Sequence, residues 1–206
     1  MELLVYHEYG ISKLHFRDDN FVLVNNEMPR LLAFLKRHHF TWSCEVRLDM
    51  LSDQMAQEWV QAGLTEIRVS VETLNSTTLK RIGKEYRNHG LFAERIRTLT
   101  DLGCFVRVSF MLGIPGDTRD DILRTFDYAE KLRPAQSVFG PYEPLPGTPI
   151  YWSPEKHGIR RVLDYEELGD YSVIETEELT NQEINCLLDE ALRRFPETEL
   201  YDWSRK

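Results

Sequence analysis

Cysteine is scarce in this chain: Cys44, Cys104 and Cys186 stand far apart among 206 residues, and none belongs to a C-x-x-C pair. That spacing leaves no local thiolate cluster for zinc or iron–sulfur ligation, and in a reducing compartment it argues against disulfides. Buried, chemically quiet thiols are the expectation for all three. A basic excess is missing as well. With 25 Lys and Arg against 34 Asp and Glu the net charge is −9, which argues against nucleic acid as a main partner, because phosphate binding needs a concentrated basic face. No apolar run approaches membrane-spanning length, and the N-terminus lacks the layout of a secretion signal. No membrane partner is expected, and the cytoplasm is the default location. The six histidines are scattered; His38-His39, near a helix end, suits a dipole-complementing role better than metal ligation.

What is present is a soluble globular composition, 42% hydrophobic and 29% charged, long enough for one sizeable core. The most informative stretch is CFVRVSFMLGIPGDT, residues 104–118. Val106, Val108, Phe110 and Leu112 alternate with Arg107, Ser109 and Met111, the rhythm of a strand with two unlike faces. Gly113-Ile114-Pro115-Gly116 breaks it. Asp117 or Thr118 then caps a helix whose Ile122, Phe126 and Ala129 share a face. Strand, glycine turn and capped helix make half of a βαβ unit, and its turn brings bare backbone N–H groups to a sheet edge.

The same unit recurs along the chain. Residues 3–6 read as the last turns of a helix stopped by Gly10, followed by a strand at 11–16 ending in Arg17-Asp18-Asp19-Asn20. Pro29 suits the first turn of a helix carrying Leu31, Leu32, Phe34 and Leu35, before a strand at 41–48 that ends at Asp49. A helix capped by Ser52 and stopped by Gly63 leads to a strand at 66–71, which stops at Glu72-Thr73. Helices at 76–82 and 91–102 precede the central strand, and a fifth strand at 136–140 runs into Pro141-Tyr142-Glu143. Five strands with crossover helices imply a parallel sheet, curled into a barrel or opened into a doubly wound layer. Residues 153–179 read as polar and irregular, with a solvated acidic stretch at 164–170. Thr180-Asn181-Gln182-Glu183 is a capping box opening an amphipathic helix that packs outside the sheet.

In such a fold the C-terminal strand ends share one rim. Here that rim would carry Asp18 and Asp19, Arg47 and Asp49, Glu72, the turn Gly113 to Asp117, and Tyr142 with Glu143. It suits a zwitterion with a ribose: carboxylates for an ammonium and hydroxyls, arginine for a carboxylate, backbone for an adenine edge. Each residue also has a plain structural role open to it. The aspartates can start a loop, Arg47 can pair with Asp49, Thr73 and Asn75 can cap a helix, and the glycines can simply turn the chain.

The runs HFRDDNF, WSCEVRLDML, AGLTEIRVSVETLNSTTLKRIGKE, LGCFVRVSFMLGIPGDT and PLPGTPIY, in that order, resemble the radical SAM enzymes, closest to the type that carries a cobalamin-binding domain ahead of its barrel. The resemblance implies a partial parallel (β/α) barrel over 1–150, missing its first strand, and a C-terminal helical extension over 151–206. It implies S-adenosylmethionine as cofactor, with Asp18 and Asp19 facing the methionyl amino group, Arg47 near the carboxylate, and Glu72 near the ribose or carboxylate. The segment Met111 to Pro115, with Gly113, then lies beside adenine, and the strand-end backbone from Phe139 to Tyr142 supplies the last adenine contact. The family holds a [4Fe–4S] cluster through C-x-x-x-C-x-x-C, and cluster iron needs thiolates. No such run exists here, so the chain alone is expected to be inactive. The cluster would come from a missing N-terminal part or a separate chain carrying it, and cobalamin would belong to a longer protein. The alternative is a cluster-free α/β descendant that binds a nucleotide-like small-molecule ligand or a protein partner.

Overall fold

A computed structural model describes residues 5, 7–22, 27–86, 89–164 and 169–196. Leu3, Leu4 and Tyr6 of the expected opening helix, and residues 165–168 of the acidic stretch, lie outside them. One sheet has the order β1-β2-β3-β4-β5: β1 (Lys13–His15), β2 (Thr41–Glu45), β3 (Leu64–Glu72), β4 (Phe105–Leu112) and β5 (Gln136–Pro141). Between them run α1 (Glu27–Arg37), α2 (Asp53–Gln61), α3 (Ser76–Arg81), α4 (Phe92–Asp101) and α5 (Arg119–Leu132). The pairs β1–β2 and β2–β3 are parallel, with Leu14 opposite Trp42 and Cys44 opposite Ile67. Sequential order with a helix in each connection is what crossover geometry demands. The chain forms two compact units, 1–70 with 86–108, and 71–85 with 109–206.

In the first unit the strand alternation separates two faces. Trp42, Cys44, Ile67, Val69, Val106 and Val108 are buried, as are Leu35 of α1, Trp59 of α2 and Ile96 of α4. The Trp42 and Trp59 rings lie 5.7 Å apart, and Trp42 Nε1 donates to the Ala62 carbonyl at 2.9 Å. Each such side chain contributes about 2–3 kcal/mol by leaving water. The alternate residues form an ion-pair ladder: Arg68 meets Glu66 at 3.2 Å and Glu45 at 3.7 Å. These groups are partly exposed, so the ladder adds little stability.

Strand bounds differ from the sequence reading, and β1 keeps only Lys13–His15 of the expected 11–16. β2 ends at Glu45, because residues 48–50 tighten into a single turn in which Met50 N–H donates to Arg47 O at 3.0 Å. β3 is longer than expected at both ends, since Leu64 pairs with Trp42 as soon as Gly63 has turned the chain.

In the second unit Phe139 of β5 stacks on Phe110 at 4.9 Å and meets Phe126 of α5 at 5.2 Å. Thr118, and not Asp117, caps α5: its hydroxyl accepts from Asp121 N–H at 3.3 Å while the Asp121 carboxylate accepts from Thr118 N–H at 2.9 Å. Residues 153–179 are not irregular throughout. After α6 (Pro149–Trp152), β6 (Ile159–Val162) pairs antiparallel with β7 (Ile174–Thr176), burying Ile159 and Ile174. Strands of four and three residues are too short to show a period, which is why the sequence reads as loop. α7 (Asn181–Arg194) starts on the expected box, Thr180 with Glu183, and buries Ile184, Leu187, Leu188 and Ala191. Phe195, just beyond it, meets Phe139 at 4.8 Å. Cys186 corrects one expectation. It is exposed, on the outer side of α7, whereas Cys44 and Cys104 are buried.

Candidate functional site

β3 delivers Glu72 to the start of the turn that leads into α3. Its carboxylate is 3% exposed and its φ is 65°, a left-handed conformation that costs a side-chain-bearing residue of order 1–3 kcal/mol. Burial of a carboxylate requires a partner, and Lys84 supplies it by an ion pair from its Nζ to Glu72 Oε1. Asn75 then organises the turn. Its Oδ1 accepts from Thr77 and Thr78 N–H at 3.1 and 3.2 Å, capping α3, and its Nδ2 donates to Gly116 O at 3.3 Å. The turn after β3 is thereby fastened to the glycine turn after β4.

That second turn borders a cavity of about 800 Å³ whose lining includes Arg81, Lys84, Met111, Pro115, Tyr142 and Glu143. Met111 is on the polar face of β4, opposite in direction to buried Phe110 and Leu112. Tyr142 extends β5, its N–H donating to Leu112 O at 2.8 Å, and burial pushes its phenol above the ordinary range. Burial likewise raises the Glu143 carboxyl, although Gly169 N–H donates to Oε1 at 2.6 Å. Gly116 N–H donates to Glu178 Oε2 at 3.0 Å. Gly113 turns the chain at a φ of 78°, and a Cβ there would sit 3.0 Å from Ile184 of α7. Its conformation and that close approach both call for glycine.

Beside this turn Asp117 is 1% exposed. The hydroxyls of Thr73 and Thr78 are near but outside hydrogen-bonding geometry. Burial pushes its carboxyl up to about 6, the two hydroxyls opposing that rise and Asp121 and Glu178 adding to it.

Of the residues that the sequence singled out, Met111, Pro115 and Tyr142 meet at the cavity; Glu72 joins them through Lys84, and Gly113 packs against α7. Asp18, Asp19 and Arg47 belong to the first unit. The two aspartates are exposed beyond β1. Arg47 makes two bonds to Asp49, Nε to Oδ1 at 3.2 Å and Nη2 to Oδ2 at 3.0 Å, and its guanidinium lies 5.1 Å from the Tyr86 ring. The ion pair considered in the sequence reading is thus present. Lys84 and Arg81 went unnoticed in the sequence. No local pattern marks a lysine twelve residues beyond the glutamate that it neutralises.

Among the described residues no group of three or more His, Cys, Asp or Glu side chains is placed to hold a metal. Burial drives the Cys44 thiol far up and the Cys104 thiol up to about 12, the wrong direction for thiolate ligation. These cysteines do not fit an iron–sulfur cluster. No helix of the described residues is long and apolar enough to cross a membrane.

Comparison with known proteins places the fold. An uncharacterized methyltransferase of Pyrococcus horikoshii is 22% identical over 195 residues, covering 93% of this chain but 42% of the relative. The chain therefore spans less than half of that protein's length. Among solved structures, coproporphyrinogen III oxidase of Escherichia coli, described as a radical SAM enzyme, matches with a TM-score of 0.68 at 16% identity, over 89% of this chain and 39% of that one. A radical S-adenosylmethionine methyltransferase of Kitasatospora setae, solved with cobalamin and a [4Fe-4S] cluster bound, matches with a TM-score of 0.62 at 17% identity, over 68% and 27%. These likenesses show a shared α/β fold, the parallel-sheet barrel type expected from the sequence. The model of the Radical SAM superfamily matches residues 2–129, and with more than half of its length so matched, the chain belongs to that superfamily.

Proposed function

We propose that this chain is the S-adenosylmethionine-binding part of a radical SAM enzyme, with residues 1–150 as the barrel portion and 151–206 as its extension. The observation that carries the reading is the cavity of about 800 Å³, bordered by Met111, Pro115 and Tyr142 and by the lysine that neutralises buried Glu72. Met111 and Tyr142 offer surfaces for an adenine ring, the turn at Pro115 offers backbone, and Glu72 offers a fixed acceptor for a hydroxyl. The strained φ of Glu72 fits a position held for binding. A [4Fe–4S] cluster, which the described cysteines do not fit, would supply the electron for cleaving the sulfonium. Its thiolates come, in this proposal, from a segment or chain other than these 206 residues. Cobalamin is proposed only for the longer protein.

Titration calorimetry with S-adenosylhomocysteine tests the cavity. The expected result is weak binding, with a Kd above about 100 μM because no cluster iron contributes, and a further loss of about fivefold in Tyr142→Ala. Binding that Tyr142→Ala leaves unchanged would defeat the assignment.

A further inference from the structure

We infer that this cavity also recognises an anionic group, a carboxylate or phosphate, on the molecule acted upon, and that Arg81 reads it. The inference rests on the cavity being a ligand site. Three cations follow one another at Lys80, Arg81 and Lys84, and they are not equivalent. Lys80 meets Glu85 at 3.4 Å, with both side chains exposed, and does not line the cavity. Lys84 is engaged by Glu72. The Arg81 side chain lines the cavity and makes no hydrogen bond or ion pair among the described residues.

Its guanidinium is nevertheless seated. Nη1 lies 2.8 Å, and Cζ 3.4 Å, from where a Cβ on Gly116 would be. The bare Gly116 backbone, at a φ of 104°, makes room for the group. A guanidinium resting on backbone with its donors unengaged is arranged in advance for bidentate contact with an oxyanion, which lowers the ordering cost of binding.

The remaining charges on the wall do not duplicate this. Glu143 accepts from Gly169, and Lys156, the other cation of the lining whose side chain has no partner among the described residues, stands between Glu155 and His157 without the seat that Gly116 gives Arg81. The wall thus carries carboxylates as well as cations, and Arg81 is the cation seated on it in advance. Ile82, Leu145 and Ile150 line the same space, so the ligand class is a small molecule with an apolar body and an anionic end.

Phenyl phosphate, benzoate, phenol and benzylamine serve as probes, titrated calorimetrically into the intact chain beside S-adenosylhomocysteine. At least one of the two anions should bind about tenfold more tightly than phenol or benzylamine. Which one does so separates phosphate from carboxylate. Arg81→Gln should remove that tenfold advantage, Arg81→Lys should retain part of it, and Lys156→Gln should leave it within about twofold. Circular dichroism of each variant checks folding, and the exposed position of Arg81 favours it. Equal anion affinity in Arg81→Gln and the wild type overturns the inference, as does phenol binding as tightly as the anions. Loss of S-adenosylhomocysteine in Arg81→Gln would also overturn it, by giving the arginine to the cofactor. If S-adenosylhomocysteine fails to bind while the anions behave as expected, the cofactor assignment falls and the anion site stands.

Discussion

The ammonium of Lys84 closes on the carboxylate of Glu72, an acid that is 3% exposed and held at a φ of 65°. Removing the lysine leaves a buried charge without its partner, whereas removing both leaves none. Because Lys84 is itself 44% exposed, water softens the loss, and Lys84→Met should cost about 1–3 kcal/mol in urea unfolding. The double variant with Glu72→Gln should cost less than the two single changes summed. Additivity within about 0.3 kcal/mol would mean that the pair is incidental. The left-handed backbone adds a second expectation: Glu72→Gly should be more stable than Glu72→Ala by about 1 kcal/mol, reversing the usual order of the two residues.

Asp117 makes stability depend on pH in a definite direction. Burial raises its carboxyl from an ordinary 3.8 to about 6 in the folded chain, so the folded state binds more protons than the unfolded state between those values. Stability from this group therefore falls as pH rises through that window, and the loss is complete above it, of order 1–3 kcal/mol. Asp121 works in the opposite sense: its burial is outweighed by hydrogen bonds from Thr118 and the charge of Arg124, and its carboxyl is held low. The informative quantity is hence the difference between wild type and Asp117→Asn across pH 4 to 7. The wild type should lose stability relative to the variant as pH rises. A constant difference would show that Asp117 titrates normally.

Much of this was readable from the chain. The alternation at Val106, Val108, Phe110 and Leu112 and the stops at Gly63 and Gly103 depend on periodicity and on positive φ, which are local properties. So is the box at Thr180. Pairings between distant segments leave no such mark. Lys84 on Glu72 could not be read, nor could Asn75 reaching Gly116, because each depends on where two turns meet after folding. The β6–β7 pair is not legible because strands of four and three residues are too short to show a period. Cys186 shows the limit of residue averages. Cysteine is usually buried, yet this one stands exposed on α7 beside buried Leu187, on the side where Gln182 and Glu183 are exposed too.

Iron binding tests the cysteine argument directly. Anaerobic treatment with iron and sulfide should yield no stoichiometric four-iron cluster, because the Cys44 and Cys104 thiols are buried and resist ionisation, and Cys186 stands alone on α7. Iron counting and electron paramagnetic resonance provide the readout. A stable cluster that disappears in Cys44→Ser or Cys104→Ser would require those side chains to turn away from the core, and would refute the placement.

Gly63 and Gly103 both end helices in the left-handed region, at φ values of 98° and 83°, yet their surroundings separate what glycine does at each. Around Gly103 a Cβ would meet nothing within 4 Å. Alanine there carries only the conformational penalty, about 1 kcal/mol. At Gly63 the Cβ would lie 2.1 Å from the Phe40 carbonyl oxygen, and that oxygen cannot swing aside as a side chain would. The Gly63 carbonyl in turn accepts from Trp42 N–H at 2.9 Å, the first bond between β2 and β3. Relieving the clash must therefore shift the start of the β2–β3 pairing, with Trp42 and its contact to Trp59 attached to it. Gly63→Ala should cost more than Gly103→Ala by at least about 2 kcal/mol in denaturant unfolding, with loss of near-ultraviolet circular dichroism from the two tryptophans. Equal costs would mean that conformation alone, and not the approach of the Phe40 backbone, demands glycine at 63.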